Sequence, residues 1–174
     1  MTQADSLGRV VIPKEIRRTL KIREGDPLEI FTERDGSVVF RKYSPVGEIA
    51  DFAGQYTDVL YKMTGMPSVI CDSDRVVAVS GIPRKEALEK QLTPQMEELL
   101  RARRSIAGRA GEETVQPAEG MERRAAAMYP IVATGDVMGA VMLLQSDPPR
   151  REAGEENARL AQAAALFLGR QIEE

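Results

Sequence analysis

Short alternations of apolar and polar residues occupy the front of the chain, and helix-spaced apolar stripes follow behind. Arg9-Val10-Val11-Ile12 is β-branched and predicts a short strand. Pro13 suits a helix start, because a first-turn N–H has no helical partner to lose. Lys14 to Lys21 then predicts a two-turn helix, and Glu24-Gly25-Asp26 a turn. Leu28, Ile30 and Thr32 alternate with Glu29, Phe31 and Glu33, a strand pattern. Asp35-Gly36 is a strong hairpin signal, with Ser37 to Lys42 as the returning strand.

From Ser44 onward the pattern lengthens. Ser44-Pro45 opens a helix whose stripe is Ile49, Phe52, Ala53, Tyr56, Leu60 and Met63, ended by Gly65 and Pro67. Val69 to Cys71 and Val76 to Val79 predict strands joined by Asp72-Ser73-Asp74. Ile82-Pro83 and Thr93-Pro94 each open a helix, the second ending near Ser105. Gly108 to Glu113 reads as a loop and Thr114 to Gln116 as a strand. Ala125 to Ala133 and Val137 to Leu144 are strands hinged at Thr134-Gly135-Asp136. Asp147-Pro148-Pro149 breaks the chain, and Glu152 to Ile172 predicts a long helix with Leu160, Ala164, Phe167 and Leu168 on one face. The expected fold class is α+β, with two domains at 1–44 and 45–174 and an antiparallel sheet in the second.

Composition narrows the function classes. The chain has 174 residues, one cysteine and no histidine. Without histidine the commonest general base and metal ligand are missing, so neither an enzyme nor a metal or other cofactor is expected. A lone Cys71 cannot form an internal disulfide and fits a reducing cytoplasm. No apolar run approaches the ~20 residues of a membrane span, and no basic-then-apolar leader is seen, so a cytoplasmic protein without a membrane partner is expected. The net charge is −3, unevenly spread. Residues 1–43 hold nine Lys/Arg against seven Asp/Glu, and the remainder fifteen against twenty. A basic front on an acidic body points to an anionic partner for the front.

The short helix sharpens that point. At about 100° per residue, Lys14, Arg17, Arg18 and Lys21 share an arc of about 100°, with Ile16 and Leu20 nearly opposite. One face is basic and the other is expected to anchor in a core. A basic face releases counterions on phosphates, and arginines fork onto guanine edges. The plainer alternative is a solvated charged face. A unit of this size buries too little core alone, and its short strands leave open edges, so a homodimer is expected.

The run Asp5-x-Leu7-Gly8-Arg9-Val10-Val11-Ile12-Pro13-Lys14-Glu15-Ile16-Arg17-Arg18-Thr19-Leu20, followed by Ile22-x-Glu24-Gly25-Asp26-Pro27-Leu28-Glu29-Ile30, resembles the AbrB-type swapped-hairpin domain. The resemblance implies two chains exchanging hairpins into one β-barrel, with exposed arginines on double-stranded DNA. Arg9, Arg17 and Arg18 occupy the matching arginine positions, and Lys14 joins them from the helical-face reasoning. In that family a strand with basic residues precedes the motif, whereas Met1-Thr2-Gln3-Ala4 stands there uncharged. The second domain resembles a GAF domain, with PAS topology as runner-up, which implies a small-molecule pocket of unknown ligand. Domain order, and phrases such as Pro130-Ile131-Val132-Ala133-x-Gly135-Asp136, are similar to a family of two-domain sporulation regulators of spore-forming Firmicutes. That likeness implies activation and repression of late sporulation genes in the forespore. It also implies a homotetramer of front-end dimers paired through helices of the second domains.

Other candidates have plainer readings. Cys71 in a core strand reads as an inert thiol rather than a redox nucleophile. Arg101, Arg103, Arg104 and Arg109 read as a solvated helix end, with contact to flanking DNA as the alternative, and the Arg123-Arg124 and Arg150-Arg151 loop pairs read the same way. Ser80-Gly81 precedes the helices where the GAF resemblance implies a ligand. The competing function is an antitoxin, since related swapped-hairpin domains also bind toxins, although such proteins end in a flexible tail rather than a folded domain.

Overall fold

A computed structural model describes residues 1–146 and 153–174. The predicted breaker at Asp147-Pro148-Pro149, the Arg150-Arg151 pair and the predicted helix start at Glu152 lie outside the described residues. The chain divides into two compact units, Met1–Tyr43 and Ser44–Glu174.

The first unit holds one helix, α1 (Lys14–Thr19), and one hairpin, β1 (Leu28–Thr32) paired antiparallel with β2 (Val38–Lys42). The Asp35-Gly36 signal holds. Gly36 turns at φ +89°, Ser37 N–H and Oγ–H both reach Asp35 Oδ1, and Glu33 N–H bonds Ser37 O at 2.9 Å. Helix α1 stops earlier than expected because Lys21 turns left-handed at φ +52°. Arg9–Ile12 forms no strand; the single bridge Ala4↔Val10 is all that pairs there.

Nor is there a barrel. The sheet of this unit has two strands of five residues each, and among the described residues no sheet is closed on itself. Closure needs more strands than one hairpin supplies, and the stretch expected to provide another stays irregular. The core expected behind α1 is also missing within the chain. Ile16 and Leu20 remain 46% and 52% exposed, and among the described residues none of 1–43 is buried.

The second unit is α+β and has a core of its own. Its elements are α2 (Pro45–Glu48), α3 (Ala50–Thr64), β3 (Ser68–Asp72), β4 (Val76–Ser80), α4 (Arg84–Ala87), α5 (Pro94–Arg101), β5 (Ile106–Ala107), β6 (Ala125–Ala133), β7 (Asp136–Leu144) and α6 (Glu155–Glu173). The antiparallel sheet runs β4-β3-β7-β6-β5. The capping signals work as read. Ser44 Oγ accepts from Gly47 N–H at 2.9 Å, and Thr93 Oγ1 from Met96 N–H at 3.2 Å. The expected strand at Thr114–Gln116 shrinks to a bridge, Val115↔Ala125. The edge place goes to β5, which pairs with Met128 and Ala127 of β6.

Both faces of this sheet are covered, and β7 shows it residue by residue. Val141 and Leu143 face α3 and α6 with Ile70, Ala161 and Leu168. Ala140, Met142 and Leu144 face α5 and the loops with Val69, Cys71, Met96 and Met128. That alternation is the period of two of a pleated strand. Of the stripe read on α3, Ala53 and Leu60 are buried, whereas Phe52 and Met63 stay 47% and 64% exposed.

Helix α6 presents small residues to the sheet: Ala158, Ala161, Ala164, Ala165 and Gly169 are buried with Leu168. A Cβ on Gly169 would run into the carbonyl oxygen of Val132. Helix propensity alone makes Gly→Ala favourable by about 1 kcal/mol. Here overpacking at a cost of about 1–3 kcal/mol reverses the sign. Gly169→Ala is therefore expected to lower the urea midpoint; a raised midpoint would show that α6 does not sit this close to β6.

Candidate nucleic-acid interface

The basic residues of the first unit lie on two local structures. Lys14, Arg17 and Arg18 stand on α1, whose axis is set by Pro13 at the N-cap and by Arg17 N–H bonding Pro13 O at 3.0 Å. Glu15 in the first turn and Arg17 and Arg18 in the last suit the helix dipole. Arg18 Nη2 reaches Glu15 Oε2 at 3.0 Å, with both side chains more than three-quarters exposed. Such a surface pair is worth little and opens readily for a stronger anion. Among the described residues no ion pair engages Lys14 or Arg17. Lys21, read on the same face, leaves the helix, and its carbonyl accepts from Lys42 Nζ at 3.1 Å.

Arg9 is held by a clasp that sequence reading missed. Asp5 Oδ1 accepts from Leu7 N–H and Arg9 N–H, both at 2.9 Å, and Asp5 Oδ2 accepts from Arg9 Nε at 2.7 Å. The backbone closes the same turn, with Gly8 at φ +75° and Asp5 N–H bonding Arg9 O at 3.0 Å. The signal was present as an Asp followed by a Gly three places on, a pattern that favours Asp-capped turns. The clasp fixes the base of the Arg9 side chain, and the guanidinium stays in solvent with the side chain 74% exposed. Arg41 lies over the Phe31 ring at 5.2 Å, a second cation outside the predicted set.

The second unit offers no catalytic centre among its described residues. Burial, and then the neighbouring Asp72 charge, push the Cys71 thiol well up, so it lacks the thiolate a redox nucleophile needs. Ser80-Gly81, which precedes the helices where the resemblance implies a ligand, is packed. A Cβ on Gly81 would lie 2.6 Å from the Tyr61 ring, and Ser80 Oγ–H bonds Asp58 with Thr57 Oγ1 at 3.0 Å. Arg103 ties the end of α5 to the β6–β7 turn through the Gly135 carbonyl. Arg109 pairs with Glu155 at 3.2 Å. No group of acidic or sulfur ligands that would hold a metal occurs among the described residues. No described helix is long and apolar enough to cross a membrane.

Comparison with known proteins gives concordant results for both units. Residues 48–173 match the family described as stage V sporulation protein T C-terminal, transcription factor. Residues 1–48 match the family described as antidote-toxin recognition MazE, bacterial antitoxin. The chain is 45% identical over 172 residues to stage V sporulation protein T of Bacillus subtilis (strain 168), spanning 98% of this chain and 94% of that protein. It is 47% identical over 55 residues to the transition state regulatory protein AbrB of the same organism, 28% of this chain and 56% of that protein. Among solved structures, a GAF domain/HD domain protein from Geobacter sulfurreducens is similar at a TM-score of 0.48 and 14% identity, over 73% of this chain and 95% of that chain.

The clasp carries its own pH dependence. Bonds from the Arg9 backbone N–H, and then from its side chain, hold the Asp5 carboxyl below its ordinary value of 3.8. A lowered carboxyl value means the clasp is intact above 3.8 and is lost as the pH falls through the folded value. A carbon-detected NMR titration is expected to place the Asp5 midpoint below 3.8; a midpoint at or above it would mean the clasp does not form in solution.

Proposed function

Because the chain belongs to the stage V sporulation protein T family of transcription factors, we propose that it grips double-stranded DNA through Arg9, Lys14, Arg17 and Arg18 as a homo-oligomer. The protein is a regulator and not an enzyme. One observation carries the DNA-binding surface: α1 holds its cations in solvent, two of them without an ion pair among the described residues, in a unit with an excess of basic residues. Phosphates supply the missing counter-charge and release bound cations from the duplex.

The oligomer follows from what the first unit leaves uncovered. Leu7, Val11, Ile30 and Val38 are more than half exposed. Each such side chain taken out of water contributes about 1.5–3 kcal/mol, which a second copy of the unit supplies. A further pairing to a tetramer uses Phe52, Met63, Leu166 and Phe167 on α3 and α6, all exposed apolar residues. The regulator acts in the cytoplasm of the forespore, activates and represses late sporulation genes, and responds to a small molecule through its second, GAF-like domain.

The match of residues 1–48 to an antitoxin family favours a second reading, in which the same unit serves as toxin partner. A co-purifying toxin in stoichiometric amount would favour it.

The deciding experiment is a salt-dependent titration of DNA with the wild type and the Arg17→Ala/Arg18→Ala double variant. Wild-type binding is expected to weaken with salt. The variant is expected to lose tenfold or more in affinity and to flatten the logarithmic salt slope by about 2 for each protomer that contacts the DNA. Equal binding by both proteins, or none by either, contradicts the assignment.

A further inference from the structure

A cleft of about 620 Å³ opens on the second unit, lined by Glu86, Lys90, Glu122, Arg123, Arg124 and Gln145 among others. Glu86 stands on α4, Lys90 follows it, the 122–124 segment enters β6, and Gln145 leaves β7. Three cations meet two carboxylates here, although residues 44–174 as a whole carry fifteen Lys/Arg against twenty Asp/Glu. The cleft is thus a basic site in an acidic body.

The cations are oriented more than they are neutralised. Lys90 Nζ donates to the Gly120 carbonyl at 3.3 Å. Arg124 Nε and Nη2 donate to Thr114 Oγ1 and the Thr114 carbonyl at 2.7 and 2.6 Å. All three acceptors are neutral. Arg123 Nε has Glu86 Oε2 at 3.9 Å, near the limit of an ion pair, and its side chain is only 26% exposed. Elsewhere in the unit a carboxylate closes directly on the guanidinium, as in Arg75–Glu89 at 3.1 Å. An ammonium has three donors and a guanidinium five, so Lys90 and Arg124 keep donors over.

We propose that this cleft binds a small phosphate-bearing ligand, with Lys90, Arg123 and Arg124 around the phosphate. Guanidinium forks meet phosphate oxygens two at a time, and the lysine adds a compact charge. The volume falls in the range of small-molecule sites, about 300–1,000 Å³. Glu86, Glu122 and the Gln145 amide offer acceptors to hydroxyl or amino groups on the rest of the ligand, which favours a sugar phosphate or mononucleotide over free phosphate. The site supplies a ligand class for the sensing role given above. It rests on that reading for its consequence and not for its occupancy.

Glucose 6-phosphate and adenosine monophosphate serve as probes on the full-length protein, with glucose, adenosine and matched sodium chloride as controls. Calorimetry is expected to show saturable binding of a phosphate probe and none of its control. Lys90→Gln/Arg123→Gln, which leaves the Arg124–Thr114 bonds in place, is expected to weaken binding tenfold or more. In the wild type, amide NMR shifts on adding the probe are expected at residues 86–90 and 120–124, a readout independent of how the variant folds. Absence of saturable binding, undiminished binding by the variant, or shifts confined to other residues overturns the site and leaves the DNA-binding reading standing. Binding that leaves DNA affinity unchanged keeps the site and removes the sensing role.

Discussion

Apolar side chains need something to pack against, and in the first unit a single chain does not provide it. Leu7, Val10, Val11, Ile16, Leu20, Ile30, Phe31 and Val38 all remain exposed around one six-residue helix and one hairpin. A unit of 43 residues lies near the size where oligomerisation or covalent staples become necessary. With a single, buried cysteine in the second unit, no disulfide staples the first. Under the proposed function, dimerisation and DNA binding are coupled: a second copy would cover Ile16 and Leu20 on the helix that carries Lys14, Arg17 and Arg18.

Local polar geometry organises what burial does not. Asp5 closes a turn with three bonds and sets the base of Arg9. Lys42 ties the helix exit to the hairpin through the Lys21 carbonyl and reaches Asp26 at 3.4 Å. The second unit is built the opposite way. Its sheet is covered on both faces, β3 is buried along its whole length, and α6 approaches closely through alanines and Gly169. Asp72 then links elements by polar bonds, accepting from Ser44 Oγ at 2.7 Å and from the Asp74 and Arg75 N–H groups of the β3–β4 turn. The N-cap of α2 and that turn thus share one carboxylate.

What was legible in the sequence is what short-range chemistry decides. Asp35-Gly36, Ser44-Pro45 and Thr93-Pro94 each mark their element because a turn or cap depends on three or four neighbouring residues. The strands with continuous apolar runs, Val69–Cys71 and the β6–β7 pair, were legible because burial on both faces leaves no polar positions. Pairing partners were not. Arg9–Ile12 has strand composition but forms a β-bridge only at Val10, and the sheet edge went to Ile106–Ala107 rather than Thr114–Gln116. The resemblance implies a barrel in the first unit, and two paired strands are what that unit forms. The basic face of α1 was legible as periodicity. The Asp5 clasp was legible only as a turn signal, Asp5 followed by Gly8, because its bonds to Arg9 depend on a side chain folding back on its own turn, and the departure of Lys21 depends on one backbone angle.

The most direct test of the dependence of the first unit on a second copy is hydrogen exchange of the full chain over a range of protein concentrations. Amides of β1 and β2, such as those of Phe31 and Val39, are expected to be protected when the chain is concentrated and to lose protection on dilution. Amides of Ile70, Val141 and Met142 are expected to stay protected throughout. Concentration-independent protection of residues 28–42 in a chain that sediments as a monomer would contradict the requirement for a partner copy.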